Sequence, residues 1–155
     1  MRKGIYIRLK QTKELAPEQE ALLQLFLANN HLKKNIDCIC SRFNITNPQY
    51  NVLRILKGAL PEGYPRCEII PRMVDQAPDV TRIIDNLEKQ ELIERYTSSE
   101  DKRLSLTRIT SKGVDLLKSM EEEMNGVAVN LKSDLTDEEI ENLSAICEKI
   151  YFKDK

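Results

Sequence analysis

The side chains best equipped for chemistry in this chain are donors and cations rather than nucleophiles. Thr81, Arg82 and Asn86 fall close together in one helical stretch, and Lys102 and Arg103 share a short polar run further on. A hydroxyl, a guanidinium and a carboxamide each hydrogen-bond a flat polar edge, and a guanidinium suits a narrow groove of negative potential. That is recognition chemistry. Catalysis lacks its parts: the chain has no glycine-rich phosphate loop and no nucleophile elbow. Its single histidine, His31, precedes Cys38 by two helical turns, about 10 Å along the axis, too far for a dyad. One histidine excludes a zinc site of several imidazoles, and the spacing of Cys38, Cys40, Cys67 and Cys147 fits no finger pattern. No enzyme, metal or other cofactor is expected.

The elements that must position these donors run from Cys67 to Gly113. Glu68 to Val74 is short and apolar-periodic, and Asp75-Gln76-Ala77-Pro78 breaks it. Pro78 suits the first turn of a second helix, where its missing N–H would have no partner. There Val80, Ile83, Ile84 and Leu87 make one apolar stripe at about 100° per residue, and Arg82, Asp85, Asn86 and Lys89 occupy the other face. The period then changes from helix to strand. Glu94-Arg95-Tyr96 and Leu104 to Ile109 flank the polar run Thr97 to Arg103, which predicts a hairpin with a charged tip. Helix, turn, amphipathic helix and hairpin together form a winged helix-turn-helix. In that module the second helix lies in the major groove of duplex DNA and the wing reaches the minor groove or backbone. Arg82, Thr81 and Asn86 are expected to select bases, while Arg103, Lys102 and the helix start at Asp79-Val80 hold phosphates. Asp101 would pair with an arginine and hold the wing tip in shape. The plainer alternatives are a solvated hairpin end and an ordinary solvent face with Arg82 beside Asp85 or Asn86.

These residues carry a resemblance. Val80-Thr81-Arg82, Leu87-Glu88, Asp101-Lys102-Arg103 and Ile109-Thr110-Ser111-Lys112-Gly113 stand in the order and spacing of the MarR family of bacterial transcriptional regulators, which the chain resembles more weakly over nearly its whole length. It departs from the family where Val74 replaces a common turn glycine, Glu91 replaces a glycine before the wing, and Pro78-Asp79 replaces small hydroxyl residues. These changes bear on base preference rather than fold. The resemblance implies a dimeric regulator, a repressor, with a small aromatic or anionic effector held between the helical part and the winged part. Judged by height on the first two long helices, the residues to line that crevice are Asn29, His31, Asn35, Cys38 and Tyr50.

A length of 155 residues suits one domain. The expected division is 1–45 and 114–155 as a helical dimerisation part, with 46–113 as the winged DNA-binding part. The class is mainly α with a small β-hairpin wing. Charged residues make up 32% of the chain, yet the formal net charge is −1, so overall charge gives no argument for nucleic acid. Asp79, Asp85 and Glu88 on the second helix must therefore be paired or turned aside if DNA is the partner. The balanced charge also keeps open a protein-interaction module that does not bind DNA. No apolar run approaches a signal peptide or membrane span, so a cytoplasmic protein with free thiols is expected.

Taken in order, residues 5–13 alternate poorly and are expected to form an irregular or extended arm. Pro17 opens a helix of about 26 residues, roughly 40 Å long, whose Leu22, Leu25, Asn29, Leu32, Ile36, Ile39 and Phe43 form a seam for other helices. Asn29 either fixes register in that seam or lines a pocket. Thr46-Asn47-Pro48 caps the next helix, and Gly58 to Pro65 is a loop. Thr110 or Ser111 caps a helix with Val114, Leu117, Met120, Met124, Val127 and Leu131 on one face, which Gly126 weakens. Thr136 to Glu139 is a capping box for a last helix bearing Ile140, Leu143, Cys147 and Ile150. One chain cannot cover these seams, which predicts a two-fold dimer whose reading helices sit about 34 Å apart on a pseudo-palindromic operator. Cys38 and Cys40 raise a thiol-based redox-sensing alternative. On a helix they point about 200° apart, so Cys40 reads as core filler and Cys38 as a surface thiol, with Cys67 and Cys147 as packing residues.

Overall fold

The computed structural model describes residues 3–10, 12–74, 79–98 and 102–152. Helix α1 (Lys3–Leu9) precedes the long α2 (Pro17–Arg42), which has Pro at its start and Glu18 and Glu20 in its first turn. Helix α3 (Asn47–Gly58) is opened by a capping box. Thr46 Oγ1 accepts from the Gln49 N–H, and Gln49 Oε1 accepts from the Thr46 N–H at 2.8 Å. Strand β1 (Tyr64–Pro65) leads into α4 (Arg66–Ile69) and one 3-10 turn (Ile70–Arg72). Then come α5 (Val80–Lys89), β2 (Ile93–Thr97), β3 (Ser105–Ile109), α6 (Ser111–Asp134) and α7 (Asp137–Tyr151).

One core joins the winged part to the long helices. Val52, Leu53 and Leu56 of α3, Ile69 of α4, and Val80, Ile83, Ile84 and Leu87 of α5 pack with Ile39 and Cys40 of α2 and Leu117 and Met120 of α6. The stripe on α5 is thus the buried face that its spacing predicts. Arg42 and Glu123 add an ion pair between α2 and α6. Helix α6 runs through Gly126 to Asp134 without a break. Helix α7 starts at the Thr136–Glu139 capping box and buries none of its residues.

Several expectations need correction. The arm at residues 5–13 is helical over Lys3–Leu9. Seven residues have little helix stability alone, so packing decides: Ile5 is 2% exposed, it lines a crevice with Leu27 and Ala28 of α2, and Tyr6 Oη accepts the Leu15 N–H at 3.2 Å. The loop from Gly58 to Pro65 ends in β1, so the wing is a three-stranded antiparallel sheet in the order β1-β3-β2. Tyr64 pairs Thr107 there, and Arg95 pairs the same residue from the other side. Gly63, at φ +86°, makes this approach possible, since a Cβ on it would stand 2.1 Å from the Thr107 carbonyl oxygen. The first helix of the helix-turn-helix changes to 3-10 geometry at Ile70, because Pro71 has no N–H to continue the α pattern. Helix α5 begins at Val80 with Asp79 as its N-cap, so its first turn starts after Pro78 rather than at it. Pro78 itself lies outside the described residues. Cys67 is exposed rather than packed, and Cys147 is half-buried.

Candidate nucleic-acid interface

Helix α5 presents its polar face to solvent because its apolar stripe is fully used in the core. Thr81, Arg82 and Asn86 are exposed. The three acids that weigh against a DNA face are each occupied. Asp79 is the N-cap, its Oδ1 accepting the Arg82 N–H at 3.2 Å. Asp85 and Glu88 are both gripped by Arg95 of β2, which donates to Asp85 Oδ1 and, at 2.7 Å, to Glu88 Oε2. The spacing of Asp85 and Glu88 puts them on one side of α5, and β2 leaves the helix so that Arg95 forks between them. Sequence reasoning missed Arg95. The signal was the demand that those acids be paired, with a strand arginine a few residues on.

The remaining cations divide sharply. Arg108 of β3 is held by Glu94 at 2.6 Å and stacks 4.8 Å from the Tyr96 ring centre, and the hydrogen bond to Glu94 pushes its guanidinium pKa up from the ordinary value. Arg72 is tied to Glu68 and stacks on Tyr64 at 4.5 Å. Among the described residues no carboxylate lies within ion-pair distance of Arg82 or Arg66, and Arg66 Nη1 instead donates to Thr81 Oγ1 at 2.7 Å. Among the described residues Arg82 makes no ion pair with Asp85 and no side-chain hydrogen bond with Asn86, and its side chain stands exposed. Lys102 and Arg103 are exposed beyond the end of the hairpin, and Asp101 lies outside the described residues.

The turn from α5 into β2 has the form of a Schellman motif. The Leu92 N–H donates to the Leu87 carbonyl and the Glu91 N–H to the Glu88 carbonyl, with Glu91 at φ +62°. This is the position where the resemblance expects glycine, and it keeps the left-handed backbone with a larger side chain. Glu91 is anchored at both ends, its carbonyl accepting from Thr110 Oγ1 at 2.8 Å and its carboxylate from Lys112 Nζ at 3.0 Å. Gly113 closes the same corner. A Cβ there would lie 2.3 Å from the Leu92 carbonyl oxygen and 2.6 Å from Ile109 Cγ1.

A crevice of about 670 Å³ separates the long helix from the winged part, lined on α2 by Asn29, Leu32, Lys33 and Ile36 and on α3 by Tyr50, Asn51 and Arg54. Asn29 and Tyr50 thus stand where they were expected. His31, Asn35 and Cys38 do not: they repeat every three to four residues along a different face of α2, where His31 and Asn35 approach each other at 3.4 Å. His31 lines the α1–α2 crevice instead. Helical spacing from the two residues that line the crevice points to Lys33 and Arg54, one turn beyond Asn29 and Tyr50. Cys38 is exposed and Cys40 buried. Burial first, and then the charge of Asp37, push the Cys40 thiol up to about 11, so it stays protonated at neutral pH.

The MarR family model matches residues 45–105, the segment from the end of α2 into the wing. The HTH-type transcriptional regulator PapX of Escherichia coli is 31% identical over 147 residues, covering 93% of this chain and 90% of its own. The chain belongs to the MarR family. Among solved structures, a MarR transcription factor from Planctomyces limnophilus is 33% identical with a TM-score of 0.66, over 89% of this chain and 98% of its own. The S. aureus MepR–DNA complex superposes with a TM-score of 0.75 at 25% identity, over 88% of this chain and 97% of the MepR chain. As a MarR-family protein it is a winged-helix transcriptional regulator. Among the described residues no helix is long and apolar enough to cross a membrane.

Proposed function

We propose that this MarR-family chain is a sequence-specific, double-stranded DNA-binding repressor that acts in the cytoplasm as a homodimer on a pseudo-palindromic operator. The observation that carries this reading is the Arg95 fork. It pairs both Asp85 and Glu88, cancelling one of their two charges, and leaves Thr81, Arg82 and Asn86 exposed without an acid partner among the described residues. The balanced charge that favoured a protein-only partner is thereby answered locally. Arg82, Thr81 and Asn86 select bases, Lys102 and Arg103 hold the backbone at the wing, and Asp101 orients the tip. Asp79 acts through its cap on the first turn of α5 rather than by touching phosphate, since its carboxylate repels one.

Residues 46–113 are the reading part, and 1–45 with 114–155 the dimerisation part. Exposed apolar side chains on the terminal helices support this division: Leu22 and Phe26 on α2, and Ile146 and Ile150 on α7, are each more than half exposed. Patches of that kind mark an interface, and a two-fold copy covers both sets. The crevice is the effector site. Apolar Leu32, Ile36 and Ile55 with cationic Lys33 and Arg54, and no carboxylate among its described lining residues, suit a small aromatic or otherwise apolar anion. A redox switch is less favoured, because Cys40 is a buried thiol facing away from Cys38.

The test is a fluorescence-anisotropy titration with a random duplex pool at two salt concentrations, followed by sequencing of the bound fraction. Binding that falls steeply with salt and selects a two-fold symmetric site is expected; no binding at low salt would return the protein-partner reading to first place.

A further inference from the structure

Arg66 carries an inference that rests on the DNA-reading function of α5 and sharpens it. It opens α4, outside the recognition helix, and its chain position gives no reason to expect a part in base selection. Yet its Nη1 donates to Thr81 Oγ1 at 2.7 Å, both residues are exposed, and no carboxylate among the described residues neutralises it. Of the other arginines of the winged part with described partners, Arg72, Arg95 and Arg108 are each bound to acids, and Arg54 stands over the Tyr50 ring. Arg66 alone among these spends its donor on a neutral hydroxyl.

A guanidinium donates and never accepts, whereas a hydroxyl has one proton and two lone pairs. With one lone pair of Thr81 Oγ1 filled by Arg66, its proton is directed away from Arg66. The donated charge also makes that proton a better donor. We propose that Arg66 is a positioning residue for DNA reading: it fixes Thr81 as a hydrogen-bond donor, so that the pair selects base edges that carry an acceptor in the major groove. Guanine O6 and N7, thymine O4 and adenine N7 qualify; the cytosine amino group does not. Thr81 without Arg66 rotates freely and accepts either kind of edge.

The experiment uses the full-length protein, its selected operator and operators carrying each base in turn at the Thr81-contacted position. That position is identified as the one where Thr81→Val flattens base preference. Arg66→Ala is expected to lower operator affinity about tenfold, the range of one lost specific contact, and to flatten preference at the same position as Thr81→Val. The double variant should lose little more than either single one, because the two act as a unit. Thr81→Ser should retain the preference, and Arg66→Lys should keep most of the salt slope while losing part of the preference. Circular dichroism melts confirm that each variant is folded. Unchanged preference in Arg66→Ala, an equal loss on every sequence, or losses that multiply in the double variant would each overturn the proposal. Should the wild-type protein bind no duplex at all, the DNA-binding function falls and takes this inference with it. Wild-type binding with an indifferent Arg66→Ala removes the inference alone.

Discussion

Arg95 sits in a strand and reads nothing itself, but its removal should turn two carboxylates loose beside the duplex. At exposed positions a freed charge near a phosphate contributes about 1 kcal/mol of repulsion. Arg95→Ala should therefore weaken every duplex by roughly tenfold at low salt, with the loss shrinking as salt screens it. Adding Asp85→Asn and Glu88→Gln should recover most of it; a triple variant as weak as the single one would show that Arg95 matters for shape rather than charge. Arg82→Ala and Arg103→Ala divide differently. The wing substitution should weaken all sequences alike, while the helix substitution should also relax base preference by about 1–3 kcal/mol at one position, both read by anisotropy on operator and scrambled duplexes. The donors on α5 were legible in the sequence because the buried stripe dictates which residues face outward. Their supporting arginines were not, since Arg66 and Arg95 act from other elements and no local pattern announces a contact across the fold.

Among the elements, the corner from α5 into β2 holds the most instructive backbone. Glu91 occupies a left-handed conformation that disfavours a side chain, and its exposed pair with Lys112 returns little. Glu91→Gly should raise stability by about 0.5–1 kcal/mol, seen as a higher denaturation midpoint. The neighbouring Gly113→Ala should do the reverse, lowering it by about 1–3 kcal/mol through overpacking against Leu92 and Ile109. A null result at either position would mean that the corner relaxes freely. Elements with local signals were readable in advance: the cap at Thr46, the capping box at Thr136, the proline that opens α2, the 26-residue run of that helix. Those whose existence depends on distant partners were not. Helix α1 forms where Ile5 finds cover, and β1 is a strand only because Gly63 lets the chain approach Thr107.

For the whole molecule, the exposed apolar faces of α2 and α7 lead to a sedimentation mass of two chains at micromolar concentration. A charge placed there, Ile146→Asp with Ile150→Asp, should halve the mass and with it abolish tight operator binding, because two half-sites then engage independently. A single-chain mass in the unaltered protein would remove the basis for two-fold reading. The long helices predicted this assembly through seams that one chain leaves open. The crevice residues were only half legible, since a height along α2 says nothing about which way a side chain turns.

The crevice has one further property. Met73 and Val74 line it, and the Val74 N–H is held by Asn51 Oδ1 of α3 at 3.0 Å, just where the chain sets out toward α5. On the proposal that an effector lodges there, it would touch Met73 and Val74, the last described residues before α5, and would be coupled to the DNA that α5 reads. Thermodynamic reciprocity then fixes the sign and size of each effect: an effector that loosens the operator tenfold must itself be held tenfold more loosely by the operator-bound protein. Operator DNA thus becomes a sensor of the effector's affinity, and a titration of ligand with and without DNA reports the coupling without any change in transcription being measured.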